Sequence, residues 1–311
     1  MYPFFFYSIP AKERRKGFFR FILSFAHTCS ALPDLFIRML FSVSFLLVFC
    51  YIWNRKRVHP CNGGTKVHIR VSKFTSIGDR PVNEDSLLSM RVGNRLIFVV
   101  ADGLGGHGLG DVASKLACET SAHLIAAIPE CGKDMFRDVY DGVQDALLKK
   151  QAEMDAEGSM RTTLNLLVIE NSYAYWSHIG DSRTYFFENG KIVKRTFDHS
   201  VSQMMVALGE IQEEDLRFHE DRNRLLKVLG AQDVKPVYDA EEPVKLAPGQ
   251  QFLLCSDGFW NLITEEQMLL CLEESDGPDI WMENMTELIR RNGSRQERDN
   301  ITAIAVWIGE N

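Results

Sequence analysis

TLNLLVIENSYAYWSHIGDSRTYFFENGK, residues 163–191, is the stretch that decides how this chain folds. It holds three strand-like runs, at 163–169, 173–179 and 183–187, separated by only a few residues. Strands this close in sequence pair antiparallel, because a parallel pair needs a crossover of about a dozen residues or more. Asn189-Gly190-Lys191 supplies a turn at the end of the series. Upstream, Val67, Ile69 and Val71 alternate with polar neighbours as a half-buried strand does, and RLIFVVA at 95–101 reads as a buried one. Further buried strands are expected at 251–255 and 301–307, and helices at 110–128, 135–154 and 279–291. Helices grouped apart from closely spaced strands imply an α+β layered fold.

The 311 residues suit one large domain or two modest ones. Net charge is −7, but residues 1–57 carry nine Lys/Arg against only Glu13 and Asp34, a surplus of seven positive charges, so the remainder carries −14. An acidic body argues against nucleic acid as a partner, since phosphate backbones are bound chiefly by Lys and Arg. It suits a carboxylate-rich site offset by cations. The seven cysteines show no Cys-x-x-Cys pair, so neither a disulfide framework nor a zinc knuckle is suggested, and a reducing compartment is expected. Cys118, Cys255 and Cys271 lie in apolar runs and read as small buried hydrophobes.

Residues 1–60 differ from the rest. MLFSVSFLLVFCYIW at 39–53 is uncharged, and extending it to 35–53 takes in Arg38, which is borderline for the roughly 20 apolar residues of a spanning helix. Basic residues flank it on both sides. The segment is a candidate tether to the inner membrane, with an unstructured extension as the plainer alternative. Residues 59–65 read as a linker, and the folded domain is expected over 66–309.

Four acidic positions share one pattern: Asp102 after LIFVVA, Asp257 after FLLCS, Asp181 after WSHIG, and Asp299 just before ITAIAVWI. Each sits where an apolar run ends, so folded strands would bring the carboxylates to the rim of a sheet. Converging like charges repel unless cations lie between them, and oxygen-only donors suit Mg²⁺ or Mn²⁺. Singly, an Asp-Gly is more often a turn; four strand-end aspartates in one domain carry the argument. Arg80, in the loop GDRPVNEDS, has a planar fork able to grip two phosphate oxygens, although a surface salt bridge is its plainer role.

With these residues the chain resembles the type 2C (PPM) metal-dependent serine/threonine phosphatases in their bacterial form. The matching segments are GDRPVNEDS (78–86), VVADGLGGHGLGDVAS (99–114), MRTTL (160–164), HIGDSRTY (178–185), DHSVSQMMVALGEI (198–211), RNRLLKVLG (222–230), LLCSDGFW (253–260) and RDNITAI (298–304). The resemblance implies a four-layer αββα sandwich, two antiparallel sheets flanked by helices, with metals at one end. It implies hydrolysis of phosphoserine or phosphothreonine on proteins by a water bridging two divalent cations, Mn²⁺ or Mg²⁺, with a third cation as a further option. Asp102 would bridge both metals, the Gly103 carbonyl would bind one, and Asp257 and Asp299 would bind the other. Asp181 with Asp257 would hold the third, Glu84 and Asp85 would act through water, and Arg80 would bind the phosphate. Leu104 stands where animal members have a histidine, and no general-acid role is transferred to His107. Residues 209–224 match the family's flexible flap. Phosphoproteins made by a serine/threonine kinase are the implied partners, and a cytoplasmic catalytic domain acting as a monomer is expected. The alternative is a catalytically weak regulatory module of the same fold.

Three decoys are weaker. GLGGHG at 103–108 satisfies G-x-G-x-x-G, but Asp102 before it would repel a pyrophosphate. CGKDMFR at 131–137 has the Cys-x5-Arg spacing of cysteine phosphatases yet is poor in glycine and flanked by acids. His178 and His199 read as structural histidines ahead of metal ligands.

Overall fold

The computed structural model describes residues 67–104 and 109–310. The apolar run at 35–53 and His107 lie outside these residues; among the described ones no helix is long and apolar enough to cross a membrane. Strands β1 (Val67–Ser76), β2 (Asp85–Val92) and β3 (Arg95–Leu104) precede helices α1 (Gly110–Ala127) and α2 (Met135–Glu153). Then come β4 (Arg161–Thr162), β5 (Leu164–Glu170), β6 (Tyr173–Ile179), β7 (Arg183–Glu188) and β8 (Lys191–Arg195), followed by α3 (Val201–Leu208). Short strands β9 (Asp239–Ala240) and β10 (Val244–Lys245) lead to β11 (Gln250–Cys255), α4 (Asp257–Trp260), α5 (Glu265–Glu273), α6 (Pro278–Asn292) and β12 (Ile301–Glu310).

One sheet runs β1-β12-β11-β7-β8 and the other β10-β6-β5-β3-β2, with β4 and β9 pairing at β3 and β6. Adjacent strands pair antiparallel throughout both sheets. Alternation along each strand builds the layers, because successive side chains point to opposite faces. In β3, Ile97, Val99 and Ala101 join the core with α1 and α2, while Phe98 and Val100 join the core between the sheets. In β12, Ile304, Val306 and Ile308 complete that middle core, and Ala303 and Ala305 face α4–α6 with Trp281 and Met285. The result is the four-layer αββα arrangement. The antiparallel pairing of β3 with β5 also removes the dinucleotide reading of residues 103–108, which needs a parallel βαβ unit.

Small residues on α1 (Ala113, Ala117, Cys118, Ser121, Ala122) face the sheet and let the helix pack closely. Strand β2 and helices α3 and α5 were not evident as elements in the sequence. DSLLSMRV lacks clean alternation, and the buried set of α5 is only Met268, Cys271 and Leu272. What starts α5 is a capping box, in which Thr264 and Gln267 each bond the other's backbone.

A buried ion pair ties α1 to the sheet. Arg95 Nη2 lies 2.8 Å from Glu170 Oε1, both side chains under 10 % exposed, and Arg95 Nη1 donates to the carbonyls of Ile125 and Ile128 at the helix end. The other Glu170 oxygen accepts from the Cys131 amide at 2.9 Å. Removing the cation would strand a buried carboxylate. Arg95→Ala is therefore expected to cost about 3–5 kcal/mol in a denaturant melt; a loss within about 0.5 kcal/mol, the range of an ordinary surface change, would refute this role.

Candidate metal and phosphate site

Strand register brings the sequence-distant aspartates together. At one end of the first sheet Cys255 lies opposite both Arg183 and Ala303, and Ser76 opposite Ile301. Asp257, Asp181 and Asp299 sit just beyond those ends, and Arg80 lies on the loop after β1. In the second sheet Asp85 and Asp102 are direct cross-strand partners. Two carboxylates placed opposite each other destabilise a sheet unless something between them is positive. Asp102, Asp181, Asp257, Asp299, Arg80, Glu84 and Gly103 line one cleft of about 650 Å³. Asp85 is 7 % exposed and lies behind it.

The electrostatics register the crowding. Burial, then the charges of Asp85, Asp257, Asp181 and Asp299, push the Asp102 carboxyl well above the usual carboxylate range. Burial and Asp257 do the same for Asp181. Burial raises Asp85 to about 7, and burial with Asp299 raises Asp257 to about 6. The neighbouring Asp102 carboxyl and the Gly258 amide partly offset that rise at Asp257. Glu84 is raised too, mainly by burial.

Neighbours hold each group in place. The Asp102 amide donates to Thr163 Oγ1 at 2.9 Å, and its carbonyl accepts from the Thr163 amide and the Thr162 hydroxyl, each at 2.9 Å. A Cβ on Gly103 would meet the Gly110 carbonyl oxygen at 2.0 Å, so only glycine fits there. Ser256 donates to Asp85 Oδ2 at 2.7 Å, while Asp85 Oδ1 is buried without a donor among the described residues. Arg80 Nη2 lies 2.8 Å from Asp299 Oδ2, and about half of its side chain is exposed to the cleft.

The turn carrying Asp181 connects the two sheets. Gly180 has φ +103°, and any Cβ there would press on Thr163 Cγ2 at 2.5 Å. Trp260 Nε1 donates to the Asp181 carbonyl at 2.9 Å. Arg183 stacks on that indole, 3.4 Å from its centroid, and forks onto Asp198 at 2.7 and 2.8 Å.

His178, His199 and Asp239 also place donor atoms within 4.8 Å of one another. The rings are stacked, with centroids 4.6 Å apart. Gly180 N–H donates to His199 Nδ1, so His199 Nε2 carries the proton given to Asp239 at 3.0 Å; His178 Nε2 lies 2.7 Å from the Phe197 carbonyl. Stacked rings with these bonds do not aim their lone pairs at one point, and the pair braces the Gly180 turn. Cys131 lies elsewhere, and burial raises its thiol to about 12, opposing thiolate chemistry.

Several contributors were not singled out from the sequence. Asn300 spans the cleft floor: its Oδ1 accepts from the Glu84 amide at 2.7 Å, and its Nδ2 donates to the Ile77 and Val82 carbonyls at 2.8 and 3.0 Å, fixing the loop of Arg80. Arg161, Glu157 and Asn223 line the cleft wall. A smaller recess of about 290 Å³ shares Arg80, Asp257 and Asp299 and is bounded by Arg217, Phe218 and Arg222. Their segment is anchored by buried Leu216 and by Arg217 on Glu265 at 2.5 Å. Asn300 directly precedes β12 and Arg161 opens β4, so both share the strand-end position of the aspartates, whereas Glu157 and Asn223 lie in loops that carry no such signal.

Comparison with known proteins agrees with this geometry. The serine/threonine phosphatase stp of Listeria welshimeri is 33 % identical over 225 residues, covering 68 % of this chain and 84 % of that protein. The crystal structure of the Mycobacterium tuberculosis serine/threonine phosphatase PstP/Ppp superposes with a TM-score of 0.68 at 28 % identity, covering 79 % of this chain and all of that one. A catalytic domain of PstP in complex with two manganese ions superposes with a TM-score of 0.66 at 26 % identity, covering 79 % of this chain and all of that one. The family model described as protein phosphatase 2C matches residues 76–302, and with this fold and this carboxylate cleft the chain belongs to the protein phosphatase 2C family.

Proposed function

We propose that the protein is a metal-dependent phosphatase acting on phosphoserine and phosphothreonine in proteins. The observation that carries this is the meeting of Asp102, Asp181, Asp257 and Asp299 with Arg80 in one cleft. The donor set fits hard divalent cations such as Mn²⁺ or Mg²⁺: it is all oxygen, its carboxylates oppose one another across strands, and Asp85 Oδ1 is buried with no donor among the described residues. Asp102 and the Gly103 carbonyl would hold the pair from the second sheet, with Asp257 and Asp299 from the first. Asp181 with Asp257 would hold a third, and Glu84 and Asp85 would act through water.

Paired divalent cations supply charge neutralisation for the phosphoryl oxygens and a water made nucleophilic near neutral pH. This chain's own residues contribute position and selection. Arg80, half exposed and now paired to Asp299, offers a fork that a phosphate dianion competes for. Asn300 holds the Arg80 loop against the β12 end, and Trp260 and His199 hold the Asp181 turn. Direct attack by water, without a covalent phosphoenzyme, is the reading. We assign the catalytic unit to 66–309 and read residues 1–60 as an extension that tethers it near a serine/threonine kinase whose products it reverses. Retention of full-length protein in the soluble fraction after cell disruption would remove the tether.

Asp102→Ala and Asp257→Ala are each expected to lower p-nitrophenyl phosphate turnover at least about a hundredfold. Wild-type-like turnover in either would sink the assignment, and cation binding without any turnover in the native protein would mark a regulatory module instead. Chelation should stop the reaction, and thiol alkylation should leave it intact. In the cation-free protein, Asp85 and Asp257 have folded-state values raised to about 7 and about 6. Their contribution to stability is then full below the unfolded value near 4 and is lost as pH rises through 6–7. Manganese should therefore raise the melting temperature more at pH 7.5 than at pH 5; an equal or reversed shift would contradict the carboxylate cluster as its binding site.

A further inference from the structure

Helix α5 shows an unusual outer face at the end of the sheets remote from the cleft. Met268, Cys271 and Leu272 pack inward, while Glu266, Leu269, Leu270 and Glu273 fall at i, i+3, i+4 and i+7, a single stripe of the helix. This stripe forms one wall of a groove of about 750 Å³, with Gln251 and Trp307 on the sheet side. Leu270 is 59 % exposed, and the charged side chains lining the groove are both glutamates.

Two further observations point to a ligand. Gln251 lies on the helix-facing side of β11, in line with core residues Leu253 and Cys255, and is only 5 % exposed. Its Oε1 is buried and meets no donor among the described residues. Leaving such an acceptor unpaired is costly, and a small turn of the side chain toward the groove would let a main-chain N–H from a partner satisfy it. The second is electrostatic. The last turn of α5 has no basic residue, although Glu273 sits there against the negative end of the helix dipole. A cation on a bound partner would relieve both charges.

We propose that this groove docks a short apolar segment flanked by Lys or Arg in a protein partner. The partner's apolar side chains cover Leu269 and Leu270, its basic side chains pair with Glu266 and Glu273, and its main chain hydrogen-bonds Gln251. From Gln251 to Asp257 is six residues, on the order of 20 Å at strand rise, so docking leaves the cleft free. The inference stands apart from the phosphatase reading.

The test uses the full chain and a fluorescein-labelled peptide of leucine and lysine, read by anisotropy beside its leucine–glutamate counterpart. The leucine–lysine peptide should bind, and Leu270→Asp or the double change Glu266→Lys, Glu273→Lys should weaken it at least tenfold. The double variant should instead gain the leucine–glutamate peptide. Turnover of p-nitrophenyl phosphate should stay at the parent level in each variant, which shows that the fold is intact. Equal binding of the two peptides by the parent chain, no binding of the leucine–lysine peptide, or affinity unmoved by both variants would overturn the proposal. So would a dimer in gel filtration that Leu270→Asp dissolves, since a second copy would then cover the face.

Discussion

Repulsion among buried carboxylates is the constraint around which this molecule is arranged. Asp102, Asp181 and Asp257 are drawn from three separate strand ends, and burial and mutual charge raise all three above the ordinary carboxylate range. A fold that served stability alone would separate them or replace them with apolar residues, because buried like charges oppose folding. Their concentration makes sense as a binding site whose ligands are cations, with the free energy of binding offsetting the repulsion.

The scaffold meets that constraint by holding the carboxylates from behind. The side chains of Thr163 and Asn300 accept from the backbone amides of Asp102 and Glu84, those of Thr162 and Trp260 donate to the Asp102 and Asp181 carbonyls, and Ser256 donates to Asp85 Oδ2. The middle core of Phe98, Trp176, Phe186 and Phe252 fixes the spacing of the two sheets. Since each sheet supplies part of the acidic set, that packing sets the span between Asp102 and Asp257. Close-packed interiors transmit such constraints with little give.

The periphery follows different physics. Arg217 and Leu216 anchor the 209–224 segment against Glu265 and the helix layer, while Phe218 stands 84 % exposed at the rim of the smaller recess. At the opposite end, the stripe on α5 exposes Leu270 where a surface helix ordinarily carries a polar group. Hydrogen-bonded support at the cleft with exposed apolar side chains on the periphery suits an enzyme whose substrates are other proteins.

The sequence alone determined the strands at 163–187, the α+β layering and the strand-end aspartates, because strand and helix periods and turn residues are local properties of the chain. The order of the motifs along the chain pointed the acidic set and Arg80 to one shared site. Tertiary structure decided the rest. The pairing of Asp85 opposite Asp102, the span of Asn300 beneath the Arg80 loop, the role of Trp260 under Asp181 and the stacking of His178 on His199 all join residues distant in the chain. Their partners are chosen by strand register and sheet packing. Those depend on the whole core at once, so no local window of sequence contains them.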